Sequence, residues 1–254
     1  MEQWREQAVE KAAAPKKSGA LVTGASSGIG EAISRMLCEQ GYQVYGIGRD
    51  FSRQKPMPAE FRPICCDVTD ADALCRAVGQ IRKEAAIEVL VNNAGCGYYG
   101  LHEELNAAKI KAMVRTNLEA PLVLSSLLLR DLKRTEGYII NICSVTARAF
   151  NPHGCAYGAT KAGLLSFSQS LFEEARKYGV KVVSILPDMT ATELYRNADF
   201  AADGEPRARL EPMEVAEAVR FAISRRDGMV CTELALKPQL HRIARKKIKK
   251  CKNM

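Results

Sequence analysis

Short apolar runs alternate along the chain with longer segments in which apolar residues recur every three or four positions. The first such segment places Ile29, Ile33 and Met36 on one helical face, and Gly41 follows as a stop signal. The short runs are continuously apolar rather than alternating, as expected when helices cover both faces of a sheet. Strand–helix alternation of this kind predicts an α/β fold with a parallel, doubly wound sheet.

Seven runs are predicted as strands, at 20–24, 43–48, 61–68, 88–95, 138–144, 180–187 and 229–236. The predicted helices between them cover 28–40, 71–85, 106–134, 157–178 and 212–226. The chain shows no internal repeat and no low-complexity linker, so one domain is expected. Its predicted bounds are 18–237, with an N-terminal extension at 1–17 and a basic C-terminal tail at 238–254.

Composition restricts the class of protein. The 254 residues are 47% hydrophobic and 26% charged, which is ordinary for a soluble domain with a sizeable core. No apolar run approaches the ~20 residues of a membrane-spanning helix, and the N-terminus lacks the apolar core of a secretory signal. The nine cysteines include no CxxC pair and the three histidines are scattered, so we expect no metal site and a reducing, cytoplasmic setting.

The net charge of +8 is concentrated at the C-terminal end, where residues 241–254 hold seven Lys or Arg and no acidic residue. Such a tail suits nucleic acid or an anionic membrane surface, although a solvated tail is the simpler interpretation.

A glycine-rich turn, TGASSGIG at 23–30, joins the first predicted strand to the first helix. In this context a pyrophosphate rests on exposed N–H groups at the helix N-terminus. Gly24 permits the sharp turn, Gly28 lets the backbone approach phosphate oxygens, and Gly30 allows close helix–sheet packing. A purely structural turn is the alternative. The predicted cofactor contacts of this turn are Gly24, Ser26, Ser27, Gly28, Ile29 and Gly30.

The second predicted strand ends at Gly48-Arg49-Asp50. An acidic residue at this position binds a ribose 2′-hydroxyl, whereas an arginine suits a 2′-phosphate. Arg49, with the hydroxyl of Ser26 nearby, favours NADP over NAD. Asp50 is close enough in sequence to compete for Arg49, so NAD stays open.

Tyr157 and Lys161 are four residues apart in a predicted helix and therefore share a face. A tyrosine with a pKa of about 10 is a poor proton donor near pH 7, and a neighbouring ammonium is expected to lower that pKa. Ser144, at the end of the fifth predicted strand, can hydrogen-bond the same substrate oxygen. The three residues predict a general acid/base acting on a carbonyl or an alcohol.

The chain resembles the short-chain dehydrogenase/reductase family over about residues 19–237. The resemblance is carried by TGASSGIG, Asp67-Val68, NNAG (92–95), Asn117, Ser144 and YGATK (157–161), in this order. It implies a single-domain Rossmann fold with a seven-stranded parallel sheet, and hydride transfer between a nicotinamide cofactor and a carbonyl or alcohol. The implied residue roles fall into two sets. In the catalytic set, Tyr157 is the acid/base, Lys161 binds the nicotinamide ribose and Ser144 orients the substrate oxygen; Asn117 completes this set. The residues that contact the cofactor are Asp67, Val68, Asn93, Ala94 and Gly95.

Asn117 lies inside the long predicted helix, four residues before Pro121. Proline has no N–H to donate to the carbonyl at i−4, which is that of Asn117, so a kink is expected there. In the family the matching asparagine holds a water that links the lysine to solvent as a proton relay. A solvent-facing asparagine in an ordinary kinked helix is the alternative.

One departure from the family follows the sixth predicted strand, where Pro187-Asp188 stands in place of Pro-Gly. Asp188 requires a different backbone there or tolerates a left-handed one. Pro187, Thr190 and Thr192 are the cofactor contacts expected in this segment. The polar lid loop, residues 188–211, follows at a strand end where open α/β sheets bind ligands.

The substrate class is open at this level. Residues expected to line the substrate pocket are Cys96, Tyr98, Tyr99, Ala147, Phe150 and Tyr195, a mixture that suits a moderately apolar carbonyl compound or alcohol. Loop arginines at 196, 207 and 209 leave a 3-oxoacyl thioester reductase as an alternative within the same chemistry. A non-catalytic NADP-binding sensor or scaffold that works through the basic tail is the third hypothesis. The resemblance also implies a homodimer or homotetramer.

Overall fold

The computed structural model describes residues 17–246. Nine strands are present in that range: β1 Lys17–Thr23, β2 Gln43–Gly48, β3 Phe61–Cys65, β4 Ala85–Asn92, β5 Tyr138–Ile142, β6 Lys181–Pro187, β7 Phe200–Ala202, β8 Glu233–Leu236 and β9 Ile243–Arg245. The α-helices are α1 Gly28–Glu39, α2 Ala71–Glu84, α3 Ala107–Val114, α4 Ala120–Thr135, α5 Cys155–Ala175 and α6 Pro212–Ile223.

Seven strands form one parallel sheet in the order β3-β2-β1-β4-β5-β6-β8. Helices α1 and α6 pack on one face, through residues such as Ile33 and Val219. Helices α2, α4 and α5 cover the other face, through residues such as Leu74, Leu124 and Leu171. The predicted doubly wound, seven-stranded Rossmann architecture is confirmed.

Element bounds differ from the prediction at several strand ends. The third strand ends at Cys65 rather than 68, the fourth covers Ala85–Asn92 rather than 88–95, and the last strand of the large sheet begins at Glu233 rather than 229. At the ends of β3 and β4 the pattern continues past the last paired residue, because Val68, Ala94 and Gly95 line the cleft.

The long predicted helix at 106–134 is interrupted by a π-helical turn at Arg115–Glu119, between α3 and α4. Pro121 follows directly, and its missing N–H removes the α-helical donor for the carbonyl of Asn117. The chain accommodates this loss with one wider, π-helical turn. Such turns distort helices and are frequent at functional sites. The expected kink is therefore present as a π turn.

A buried polar network crosses the sheet between β4 and β5. Asn92 and Asn141 are paired in register, and Asn92 Nδ2 donates to Asn141 Oδ1 at 2.8 Å. Asn141 Nδ2 in turn donates to Ser168 Oγ of α5 at 2.7 Å, and Asn92 Nδ2 also reaches Ser125 Oγ of α4 at 3.3 Å. The network joins two central strands to the two helices that cover them.

The lid loop contains two 3₁₀ turns, Glu193–Asn197 and Pro206–Ala208, and the short strand β7. β7 pairs antiparallel with β9, which lies in the segment predicted to be a basic tail outside the domain. Residues 243–246 of that segment are therefore paired with the lid loop, and the domain bounds themselves stay a prediction. The rest of the basic tail, 247–254, and the N-terminal extension up to residue 16 lie outside the described residues.

Within residues 17–246, no helix combines the length and apolar character needed to cross a membrane.

Candidate active site and nucleotide cleft

A cleft of about 410 Å³ opens along the carboxyl ends of the strands. It lies over the junction of β1 and β4, where the strand order reverses and open α/β sheets bind their ligands. The sequence-predicted residues that line it are Gly24, Ser26, Ser27, Gly28, Ile29, Arg49, Asp67, Val68, Asn93, Ala94, Gly95, Ser144, Tyr157, Lys161, Pro187, Thr190 and Thr192. Gly30 and Asn117 do not line it.

The glycine turn has the geometry that its spacing predicts. Gly24 and Gly28 have φ of +66° and +57°, a conformation that L side chains rarely adopt. A Cβ on Gly30 would lie 2.1 Å from the carbonyl oxygen of Gly24, so this glycine allows α1 to approach β1 closely. Ser27, at the N-cap of α1, provides no side-chain cap within the described structure. The first turn of α1 thus has no side-chain cap, and its residues Gly28 and Ile29 line the cleft, as a site for an anion requires.

Thr23, the last residue of β1, fixes the glycine turn to the NNAG segment and was missed by sequence reasoning. Its Oγ1 accepts hydrogen bonds from the backbone N–H groups of Asn93 and Ala94, at 2.9 and 3.0 Å. Asn93 Nδ2 also donates to the carbonyl oxygen of Thr23 at 2.9 Å. A threonine before a glycine turn carries no distinctive sequence signal, because its role depends on a strand 70 residues away.

Ser144, Tyr157 and Lys161 meet at one wall of the cleft. Ser144 lies two residues after the end of β5, whereas Tyr157 and Lys161 lie one turn apart near the start of α5. All three side chains are buried, and Ser144 hydrogen-bonds the phenol of Tyr157. Lys161 Nζ donates to the carbonyl oxygen of Ile142 at 2.7 Å and lies 5.9 Å from the centre of the Tyr157 ring.

The pKa of Tyr157 is shifted in the direction opposite to the sequence expectation. Burial raises the pKa of this phenol well above its ordinary value, and the hydrogen bond from Ser144 opposes the shift without cancelling it. Burial likewise lowers the pKa of Lys161. The expectation considered only the attraction between an ammonium and a phenolate, whereas the loss of water around both groups is the larger effect here.

Asn117 is fully buried in the π turn, beside the cleft rather than facing solvent. Its Nδ2 donates to Thr160 Oγ1 of α5 at 3.1 Å. The alternative of a solvent-facing asparagine is therefore wrong.

Arg49 is exposed at the end of β2 and lines the end of the cleft away from Tyr157. The expected competition from Asp50 is absent, because its carboxylate accepts from Ser52 N and Ser52 Oγ at 2.8 and 3.0 Å. Asp67 is held by Thr69, whose N–H and hydroxyl both donate to Asp67 Oδ1 at 2.9 Å. These hydrogen bonds hold the pKa of Asp67 below its usual range.

Asp188 does not adopt the left-handed conformation that the sequence left open. Its backbone N–H donates to the carbonyl of Leu236 at 2.9 Å, and its Oδ1 accepts from Met189 N at 2.8 Å. Thr190 and Thr192 still line the cleft in the residues that follow. The substitution of the family glycine therefore leaves the cleft wall in place.

A cluster of aromatic rings stands beside Tyr157. The Tyr99 ring centre lies 5.6 Å from that of Tyr157, 6.2 Å from that of Tyr195 and 5.0 Å from that of Phe200. Cys96, Tyr98 and Tyr195 line the cleft as expected, but Tyr99, Ala147 and Phe150 do not. The Phe150 side chain is fully exposed, because its loop turns away from the cleft.

The described residues contain no group of three His, Cys, Asp or Glu side chains able to hold a metal ion.

Comparison with known proteins identifies this arrangement. The sequence profile described as short chain dehydrogenase matches residues 18–201. The chain belongs to the short-chain dehydrogenase/reductase family. An uncharacterized oxidoreductase of Staphylococcus epidermidis is 34% identical over 231 residues, covering 88% of this chain and 98% of the relative.

Two solved structures share the fold and carry NADP-type ligands. An alcohol dehydrogenase from the archaeon Thermococcus sibiricus, complexed with 5-hydroxy-NADP, is 25% identical with a TM-score of 0.77, covering 89% of this chain and 98% of its own. A metagenomic short-chain oxidoreductase in complex with NADP is 29% identical with a TM-score of 0.75, covering 89% and 99%.

The cleft fits a nicotinamide dinucleotide of the kind this family uses. The open N-terminus of α1 suits a pyrophosphate. Gly95 has no side chain to fill the cleft, and the atom nearest to the position of a Cβ there is 3.6 Å away. Arg49 stands at one end of the cleft and the Tyr157–Lys161 pair at the other. Residues whose chemistry suits a nicotinamide dinucleotide thus line the cleft from one end to the other.

Proposed function

We propose that this chain is an NADP-dependent oxidoreductase that transfers a hydride between the nicotinamide and a carbonyl or secondary-alcohol substrate. The convergence of Ser144, Tyr157 and Lys161 on one wall of the nucleotide cleft carries the proposal. When bound, the nicotinamide supplies or accepts the hydride. The protein has to move the matching proton and stabilise charge on the substrate oxygen.

Tyr157 is the proton donor in this proposal, and Ser144 orients the substrate oxygen. The ordinary pKa of a phenol is about 10, and burial raises that of Tyr157 further, so at neutral pH the side chain holds a proton that it can donate to the substrate oxygen as a carbonyl is reduced. Lys161 binds the nicotinamide ribose and keeps a positive charge near the phenol; its hydrogen bond to Ile142 O fixes its position.

The preference for NADP rests on Arg49 and Ser26. Arg49 is exposed at the cleft, and Asp50 is engaged by Ser52, so the guanidinium is available to a 2′-phosphate. The NADP-type ligands of the two related structures support the same cofactor. Asp67 and Val68 meet the adenine end of the nucleotide, while Asn93, Ala94 and Gly95 line its middle.

On the substrate side, Tyr195 lines the cleft, and the rings of Tyr99 and Phe200 that pack against it complete an aromatic wall next to Tyr157. This wall favours a moderately apolar, uncharged carbonyl compound.

The proposal is tested by titrating the purified protein with NADPH and with NADH, followed by NADPH oxidation across ketones, aldehydes and 3-oxoacyl thioesters. We expect tighter binding of NADPH and turnover of an uncharged ketone or aldehyde. Turnover confined to thioesters would establish the alternative reductase. Binding without any turnover would support a sensor, and failure to bind either nucleotide would overturn the assignment of the glycine turn.

A further inference from the structure

The C-terminal strap, residues 238–246, is bound to the lid loop by backbone hydrogen bonds. In the β7–β9 pair, Phe200, Ala201 and Ala202 face Arg245, Ala244 and Ile243. The pairing is extended at both ends, because Lys246 N donates to Asp199 O at 2.7 Å and Leu240 N donates to Arg207 O at 2.8 Å. The strap therefore spans the lid loop from residue 199 to residue 207.

The side chain of Lys246 is bound to the same loop. Its Nζ donates to the carbonyl oxygens of Tyr195, Arg196 and Ala198, at 2.6, 3.4 and 3.0 Å. These carbonyls lie in the second half of the 3₁₀ turn Glu193–Asn197 and in Ala198, which follows it. Tyr195 O also accepts from Ala198 N at 3.0 Å. An ammonium has three donors, and its three acceptors here lie in this turn and at its C-cap.

The loop segment held by Lys246 carries two rings of the aromatic cluster beside Tyr157, and one of them, Tyr195, lines the cleft. Tyr195 and Phe200 stand on either side of Ala198, and their ring centres are 5.5 Å apart. Both rings pack on Tyr99, whose ring packs on Tyr157. One continuous series of contacts thus runs from the ammonium of Lys246 to the phenol of Tyr157.

We propose that Lys246 is a positioning residue for the substrate site, which holds Tyr195 and Phe200 against Tyr99 by binding the carbonyls of the lid loop. The proposal rests on the proposed function for its kinetic consequence. The nucleotide end of the cleft is held separately, through the glycine turn and the bridge between Thr190 and Leu210. Loss of Lys246 therefore acts on the substrate more than on the nucleotide.

The first test needs no turnover. Amide hydrogen exchange is measured in the full-length protein and in Lys246→Met, Lys246→Arg and the matched control Arg242→Met, which removes another exposed cation of the strap. We expect Lys246→Met to raise exchange at least tenfold in residues 193–202 and to leave the large sheet unchanged. Lys246→Arg, which keeps the charge and several donors, recovers part of the protection, and Arg242→Met matches the wild type.

The second test separates substrate from nucleotide. We expect Lys246→Met to raise KM for the carbonyl substrate about tenfold while the Kd for NADPH and kcat change less than threefold. Equal exchange in Lys246→Met and wild type, or a rise spread over the whole sheet, would overturn the proposal. Absence of carbonyl reduction in the wild type would instead contradict the proposed function, and exchange alone would then decide the role of Lys246.

Discussion

Asn117 binds both backbone polar groups of Cys96. Its Oδ1 accepts from Cys96 N at 2.9 Å, and its Nδ2 donates to Cys96 O at the same distance. The amide thereby holds the segment that follows β4 against the π turn, next to Gly95 at the cleft. A proton relay through Asn117 remains a proposal, whereas this contact gives the side chain a positioning role of its own.

We expect Asn117→Ala to lower the free energy of unfolding by about 2 kcal/mol, because it leaves buried polar groups without partners. NADPH affinity should fall as well, since Gly95 and Cys96 lose their support. Asn106→Ala is the control: it removes the cap of α3, which accepts from Lys109 N, at a site outside the cleft. Chemical denaturation and a nucleotide titration check both variants, and unchanged NADPH affinity in Asn117→Ala would contradict the positioning role.

Tyr157→Phe should keep cofactor binding and lose nearly all turnover. The ring and its packing on Tyr99 remain, but the proton donor is removed, which costs about 10²- to 10⁴-fold in kcat. Tyr98→Phe removes another hydroxyl from a residue lining the same cleft and should stay within a few-fold of wild type. Steady-state kinetics with the best carbonyl substrate decide the matter, and substantial activity in Tyr157→Phe would remove Tyr157 from the mechanism.

Arg49→Asp should shift the ratio of NADPH to NADH affinity towards NADH by roughly 10- to 100-fold, the effect of losing a charge-assisted hydrogen bond. Arg53→Asp makes the same charge change at an exposed residue that does not line the cleft, and should leave the ratio unaltered. Fluorescence titrations with both nucleotides supply the ratio. Equal shifts in the two variants would mean that net charge, not a phosphate site, is responsible.

Gly30→Ala and Gly79→Ala should have opposite effects. A Cβ at Gly30 would clash with Gly24 O at 2.1 Å and Asn93 Nδ2 at 2.5 Å, so α1 has to move and both stability and nucleotide affinity fall. A Cβ at Gly79 meets nothing within 4 Å, and replacing glycine inside α2 should stabilise the protein by about 0.5–1 kcal/mol. Thermal unfolding with and without NADPH measures both; a harmless Gly30→Ala would show that α1 is not held closely on β1.

The raised pKa of the Tyr195 phenol should lower the free energy of unfolding at alkaline pH. Burial raises the pKa of its phenol to about 12, with the carboxylate of Asp188 adding to the shift. Above a pH of about 10 the unfolded chain releases this proton while the folded chain keeps it, so stability is lost as pH rises. At pH 11 the loss is about 1.4 kcal/mol.

Tyr195→Phe cannot titrate and should lack this part of the decline. The free energy of unfolding, measured by urea denaturation at about pH 8 and 11, gives the difference between the two proteins. Tyr178→Phe, at an exposed tyrosine, should decline as the wild type does. A Tyr195→Phe protein with the full wild-type decline would show that the phenol titrates normally.

The sheet and most of the cleft could be predicted from local patterns. Continuous apolar runs and the spacing of Gly24 and Gly30 involve residues that are close together in sequence, so the sequence alone reveals them. The role of Thr23 and the pairing of β7 with β9 depend on residues about 70 and 45 positions away, respectively. Strands of three residues such as β9 also carry too little periodicity to be recognised.

The pKa of Tyr157 was beyond sequence reasoning for a different reason. The spacing of Tyr157 and Lys161 indicates that they are neighbours, but it gives no measure of how much water surrounds them. Desolvation is a property of the packed structure, and here it exceeds the effect of the nearby charge.

The amide pair of Asn92 and Asn141 has a consequence for how accurately the site is built. A one-residue slip of β5 along β4 would break this pair and leave two amides in an apolar interior, at a cost of about 1–3 kcal/mol for each unpaired group. The same slip would carry Ser144 about 3.3 Å away from its place relative to Asn93. The buried amides therefore make the misaligned register unfavourable. They fix the position of Ser144, after β5, relative to Asn93, after β4.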